Sequence, residues 1–183
     1  MHRLGRDIGI ELTHSLDDDS TVGQDRLLNA IGAYSRAKQA CIIIDAGTAI
    51  TVDFVDGEGV FHGGAIAPGV RMMLRALHEQ TAALPALEFT PPEPARGPLG
   101  KDTPHAMLIG VTSAARGLAH LLIDRYAEFY GAYPRVIATG GDARALFEGD
   151  ELVESIIPDL TLVGLAEVCR RELGEGASDA GET

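Results

Sequence analysis

Cys41-Ile-Ile-Ile-Asp-Ala-Gly-Thr-Ala-Ile-Thr-Val-Asp-Phe-Val-Asp-Gly57 decides the fold. Cys41 to Asp45 is a continuous apolar run of strand length, and Ala46-Gly47-Thr48 stops it. Ile50 to Val55 resumes as a second strand, and Asp56-Gly57 is a strong hairpin turn. Val60 to Ile66 reads as a third strand, so residues 41–66 predict a three-stranded meander. Downstream, Pro68-Gly69 opens a helix towards Gln80, with Met72, Met73 and Leu77 on one face. Pro85, Pro91, Pro92, Pro94 and Pro98 then predict a loop without a regular element. Thr103 to Tyr130 reads as one long helix with an Ala/Gly-rich face. Arg135 to Thr139 reads as a short buried strand, which Gly140-Gly141 turns into a helix over 142–147. The last helix is expected over 162–173. Upstream, Asp25 reads as the N-cap of a helix in which Leu27, Leu28, Ile31 and Tyr34 recur at helical spacing. Strands and helices in this order predict an α/β layer fold.

A chain of 183 residues fits one ordinary domain, or one and a fraction. At that length roughly 70% of the unfolded chain's surface is buried, so no staples are needed. Lys and Arg total 15 against 27 Asp and Glu, a net charge of −12, which argues against a nucleic-acid backbone or an anionic membrane as partner. Cys41 and Cys169 sit in apolar settings and read as buried thiols of a reducing compartment. The six histidines show no zinc-ligand spacing. No run is read as approaching the eighteen or more apolar residues of a membrane span. The N-terminal residues lack the apolar core of a signal peptide. A cytoplasmic protein is the expectation.

Three stretches carry chemistry. In Val22-Gly-Gln-Asp-Arg26, a carboxylate beside a guanidinium at a helix mouth pairs a general base with an anion clamp; a helix cap plus a surface charge accounts for the same residues. Asp45-Ala-Gly-Thr48 brings a carboxylate to a strand end, where turn N–H groups and the Thr48 hydroxyl suit a phosphate and the carboxylate suits a cation. An Asx turn closing a hairpin is the bland alternative. Thr139-Gly-Gly-Asp142 is a strand–turn–helix where a nucleotide can lie against the backbone. Gly63-Gly64 reads either as close ligand approach or as a strand bulge. Neither a Gly-x-Gly-x-x-Gly fingerprint nor a Gly-x-x-x-x-Gly-Lys-Ser/Thr loop occurs.

In order and wording, these stretches resemble type III pantothenate kinases. Val22-Gly-Gln-Asp-Arg-Leu-Leu-Asn-Ala30, Ile44-Asp-Ala-Gly-Thr-Ala-Ile-Thr-Val-Asp53 and Gly63-Gly-Ala-Ile-Ala-Pro-Gly69 carry the likeness. Thr81-Ala-Ala-Leu-Pro85, Gly100-Lys-Asp-Thr103 and Ala138-Thr-Gly-Gly-Asp142 continue it. The resemblance implies a ribonuclease-H-like (actin-like ATPase) C-terminal domain, a mixed sheet flanked by helices. It implies phosphorylation of pantothenate to 4'-phosphopantothenate by ATP with Mg2+, in a cytoplasmic homodimer. Asp25 would be the catalytic base. Gly23, Gln24, Asp25, Arg26 and Thr81 would bind pantothenate; Gly47, Thr48, Thr139, Gly140 and Gly141 would contact ATP. Asp45 would hold a monovalent cation, K+ or NH4+. Family members begin with a domain whose first hairpin carries Asp-x-Gly-Asn-Thr/Ser, whereas here the Gly-x-Asp-Arg motif comes at Gly23. Residues 1–22 are therefore expected to be the lead-in remnant of that domain, 23–173 the kinase domain and 174–183 a disordered acidic tail. A non-catalytic dimeric homologue that binds pantothenate or nucleotide is the alternative.

Overall fold

The computed structural model of this chain describes Ile10 and residues 12–178. In chain order the elements are α1 (Gln24–Ala37), β1 (Cys41–Ala46), β2 (Ala49–Val55), β3 (Phe61–Pro68), α2 (Val70–Glu79), α3 (Thr103–Tyr130), β4 (Arg135–Thr139), α4 (Ala143–Phe147), β5 (Ser155–Ile156) and α5 (Leu160–Ser178). They build one mixed sheet of order β3-β2-β1-β4-β5. The meander expected over 41–66 is antiparallel throughout, while β1 pairs parallel with β4 and β4 with β5. A register shift at Phe54/Val55, next to the Phe54–Gly63 pair, favours the bulge reading of the glycine pair.

The two-residue period of the strands sorts the core into two layers. Ile42, Ile44, Val52, Phe54, Val136 and Ala138 pack with α2, α3 and α4. Cys41, Ile43, Val55, Phe61 and Ile137 pack with α1 and Leu160 of α5. Across that second layer α1 and α5 approach backbone to backbone. A Cβ on Gly32 would stand 2.7 Å from the Leu160 carbonyl oxygen, and one on Gly164 would run into the Leu28 carbonyl. Only glycine permits this crossing.

Helix α3 matches its expected span, and Met107, Val111, Ala115, Ala119 and Ile123 key it into the core. Its mean hydropathy reaches 1.5 over an 18-residue window, so by length and composition it qualifies as a membrane span where the sequence reading saw none. Interleaved Arg and His residues had hidden that average. Such a helix is equally what a core-packed one looks like. Only 28% of that window is buried, which leaves an apolar face uncovered.

Several boundaries differ from expectation. The cap of α1 is Gly23, not Asp25, which lies inside the first turn and makes no capping bond. The Pro-rich loop holds one 3-10 turn, Pro94–Arg96. The two-residue β5 was missed because so short a strand carries no periodicity. Within the expected lead-in remnant, Leu12, Leu16 and Val22 pack on the α1 side of the core, and Ser15 N–H donates to the Phe61 carbonyl at 3.0 Å. Helix α5 continues to Ser178, into the span expected to be a disordered tail, and residues 179–183 lie outside the described residues.

Candidate active site

Alternation along the strands, which builds the core, also builds the site. Asp45, Thr51, Asp53 and Thr139 all fall on the α1 side of the sheet. Hairpin register sets Asp45 opposite Thr51 and Ile43 opposite Asp53, and the parallel pairing sets Asp45 opposite Thr139. Helix α1 meets this polar strip with Arg26 and Asn29, one turn apart.

Arg26 is committed to Asp53. Its Nε donates to both carboxylate oxygens at 3.1 Å, and its Nη2 donates to Asp53 Oδ1. The side chains are 13% and 2% exposed, so this is a buried ion pair. Burial pushes the Asp53 carboxyl above its ordinary value, while the Arg26 bonds pull against that shift. The Arg26 guanidinium is raised, chiefly by its bond to Asp53.

Asn29, also buried, links Asp45 to α5. Its Nδ2 donates to Asp45 Oδ2 at 2.8 Å, and its Oδ1 accepts from the Thr161 hydroxyl at 2.7 Å. The Thr161 bond fixes which end of the amide faces the carboxylate. Burial raises the Asp45 carboxyl, the Asn29 bond opposes this, and the charges of Asp25 and Asp53 raise it further. Asp25 is exposed at the mouth of α1, and its charge adds to the rise of the Asp45 and Asp53 carboxyls.

Two turns close the strand ends. The Gly47 N–H donates to Ala49 at 3.0 Å, and Thr48 is exposed at the tip. Gly140 has φ +94, and a Cβ there would stand 2.5 Å from both Asp45 Oδ1 and the Ala46 carbonyl oxygen. Gly141 faces open space. A cleft of about 320 Å3 lies between these turns and α2, lined by Gly47, Thr48, Arg71, Arg75, Gly141 and Asp142 among others.

Not every expected site residue joins this group. Thr139 is buried, and its hydroxyl donates to the Pro158 carbonyl at 3.3 Å, so that side chain ties β4 to the segment before α5. Thr81 bonds locally: its hydroxyl donates to Leu77 O at 2.7 Å and accepts from Leu84 N–H. It lines a wide apolar groove of about 1150 Å3 between α2 and α3, a groove that includes neither Asp25 nor Asp45. Sequence reading missed Asp53, Asn29 and Thr161. Hairpin register arithmetic from the Gly47 turn would have set Asp53 on the Asp45 face.

A mixed sheet flanked by helices, with carboxylates at the end of its central strand and glycine turns at two parallel strand ends, is the ribonuclease-H-like architecture of the actin-like ATPases. Solved structures share the fold. A Baf family protein from Campylobacter jejuni aligns with a TM-score of 0.60 at 19% identity, over 90% of this chain and 71% of its own. The activator of 2-hydroxyisocaproyl-CoA dehydratase from Clostridium difficile, with ADPNP bound, aligns with a TM-score of 0.52 at 14% identity, over 92% and 73%.

The model of the type III pantothenate kinase family matches residues 1–125. Type III pantothenate kinases from Rhodospirillum rubrum and Paramagnetospirillum magneticum are 44% and 40% identical over 90% and 91% of this chain. One from Akkermansia muciniphila is 39% identical over 89%. The chain belongs to the type III pantothenate kinase family. It spans 62%, 62% and 64% of the length of these three relatives.

Proposed function

We propose that this chain carries the acceptor and cation side of a cytoplasmic, ATP-dependent pantothenate kinase, with residues 23–173 as its kinase domain. The observation that carries the reading is that α1, whose first turn holds Asp25, is bonded through Asn29 to Asp45 at the end of the central strand. Asp25, exposed at the helix mouth, receives the proton of the primary hydroxyl of pantothenate. The hydroxyl oxygen bonds to the γ-phosphorus as the bridging bond to ADP breaks. An ordinary carboxylate is a weak base for an alkanol, but a loose transition state asks first for a positioned oxygen. Gly23, Gln24 and Arg26 complete the pantothenate stretch, and Asp53 holds the Arg26 fork in a fixed direction.

Asp45 Oδ1 and the Ala46 carbonyl leave an all-oxygen cradle where a Cβ on residue 140 would otherwise stand. Hard oxygen donors with one carboxylate suit a monovalent cation such as K+ or NH4+. When bound, that cation offsets phosphate charge. Mg2+ would enter with ATP. Gly47, Thr48, Gly140 and Gly141 offer backbone and hydroxyl groups to the nucleotide, and Thr139 supports their turn from beneath.

A homodimer completes this reading. The α2–α3 groove is apolar and the α3 window largely unburied, which a second copy would cover. Thr81 then reaches pantothenate from a surface that its own chain's carboxylates do not share. The test is a coupled assay of pantothenate phosphorylation with Mg-ATP and K+. Asp25→Asn should lower turnover by about 10^2–10^4. Full activity in that variant would remove Asp25 from the mechanism.

A further inference from the structure

At the far end of β2 from the Gly47 turn, about 20 Å along the strand, three polar side chains form a relay of their own. His62 Nδ1 lies 2.9 Å from the Ser15 hydroxyl, and His62 Nε2 lies 2.7 Å from Asp56 Oδ2. Asp56 is itself fixed, because its Oδ1 accepts from the Glu58 and Val60 N–H groups at 3.0 and 2.9 Å. An ionised carboxylate can only accept, so Nε2 carries the ring proton. Nδ1 is then bare and accepts from the Ser15 hydroxyl, the arrangement of a general base on a nucleophile. The strand register explains how His62 comes to point there. Pairing passes from Phe54–Gly63 to Val55–Phe61 and skips His62, and such a bulge re-aims the skipped side chain. The ring is steadied by Phe54 and Phe129, whose ring centres lie 5.4 and 6.1 Å away. The His62 side chain is 27% exposed and that of Asp56 15%, while Ser15 is open to solvent. The segment carrying Ser15 is tied to the outer edge of β3, where Phe61 N–H donates to Thr13 O at 2.8 Å. Ser15 and His62 open on a pocket of about 510 Å3 walled by Phe54, Tyr126 and Phe129.

We propose that Ser15, His62 and Asp56 form an acyl-transfer site, separate from the kinase carboxylates, that hydrolyses neutral esters of short acyl chains. Ser15 Oγ bonds to the acyl carbon as its proton passes to His62 Nδ1, and that proton leaves on the alcohol as the ester bond breaks. Water then gives a proton to Nδ1 as it attacks the acyl carbon, and Ser15 recovers that proton when the acid departs. Asp56 is a positioning residue that sets the tautomer of His62. The aromatic walls suit an apolar acyl chain, and the acidic run from Asp17 to Asp19, just past Ser15, disfavours an anionic ester.

The experiment treats the whole chain with a fluorophosphonate and, separately, with p-nitrophenyl butyrate, and locates the label by peptide mass spectrometry. Label should fall on Ser15, and p-nitrophenol release should be lost in Ser15→Ala. His62→Ala should slow both reactions about 10^2–10^4-fold. Asp56→Asn keeps an oxygen for the turn N–H groups but offers Nε2 a donor, which moves the ring proton to Nδ1 and blocks the Ser15 bond. It should therefore lower kcat by a similar factor with KM and Tm unchanged, which a merely structural Asp56 would not do. A parent chain unlabelled at Ser15, hydrolysis that persists in Ser15→Ala, or Asp56→Asn reacting at the parent's rate overturns the assignment.

Discussion

Removing Asp53 from beneath Arg26 should be among the most costly single changes in the α1 layer. In Asp53→Ala the guanidinium keeps its place, 13% exposed, but loses all three bonds to the carboxylate. Arg cannot shed its proton, so it must stay as a poorly hydrated cation or drag α1 outward. Breaking a buried pair from one side costs about 3–5 kcal/mol. Against a whole-domain stability of about 5–15 kcal/mol, that loss is roughly a fifth or more. The converse variant, Arg26→Ala, behaves differently because Asp53 can neutralise itself. Burial already raises the Asp53 carboxyl, and loss of Arg26 raises it further. A carboxyl whose folded value lies above its unfolded value favours the folded state below the unfolded value. That benefit is lost as pH rises through the folded value. Arg26→Ala should therefore be much more destabilised at pH 7 than near pH 4.5, while Asp53→Ala should show no such relief. Urea unfolding at both pH values measures this, with an unchanged slope confirming that the folded states are comparable. A cost below about 1 kcal/mol for Asp53→Ala would refute the buried-pair argument. So would an Arg26→Ala penalty equal at the two pH values.

Two further tests address the packing and the cation. Gly164→Ala gains about 1 kcal/mol of helix propensity but drives a methyl group into the Leu28 carbonyl, and overpacking of that kind costs about 1–3 kcal/mol. The clash should win and Tm should fall; a rise would mean that α1 and α5 do not cross this closely. K+ should raise Tm at pH 7 through the Asp45 carboxylate. Burial raises that carboxyl, so the group ionises only above its raised value and the K+ effect should shrink as pH falls towards it. In Asp45→Asn the K+ shift should vanish at every pH, and its persistence there would place the ion elsewhere.

Much of this fold was legible because the strands announce themselves. The run from Cys41 to Asp45 and the Asp56-Gly57 turn fix a meander by local chemistry alone, and Asp56 Oδ1 accepts from the Glu58 and Val60 N–H groups as such a turn requires. Helix α3 was legible end to end because Asp102 caps it, accepting from the His105 N–H at 2.8 Å, and Gly131 ends it in a left-handed turn. Pairings across long separations were not legible. Nothing near Asn29 in sequence indicates Thr161, and nothing near Arg71 indicates Asp142. The sequence reading had Arg26 as a free clamp for a substrate anion, because a pair 27 residues apart exists only once register sets Asp53 beside α1. Thr139 was read by position in a motif, but strand alternation turns its side chain inward towards Pro158.

The same alternation bears on how an acidic chain would host the proposed phosphate chemistry. Asp45 and Asp53, with Asp25 and Arg26 of α1, lie on the α1 side of the hairpin, and Arg71 and Arg75 of α2 lie on the other side. A γ-phosphate brought near three carboxylates meets repulsion that is weakly screened at such short range. On the proposed reading one feature would offset it: the oxygen cradle at Asp45, with room for a cation. On that reading the hydroxyl to be phosphorylated would approach from the acidic side, where Asp25 can take its proton. If the cradle holds the cation, Asp45→Asn should remove the K+ dependence of ATP binding, because the phosphate chain then faces the remaining carboxylates with no ion between; calorimetry with and without K+ measures it, and an unchanged K+ dependence would refute the cradle.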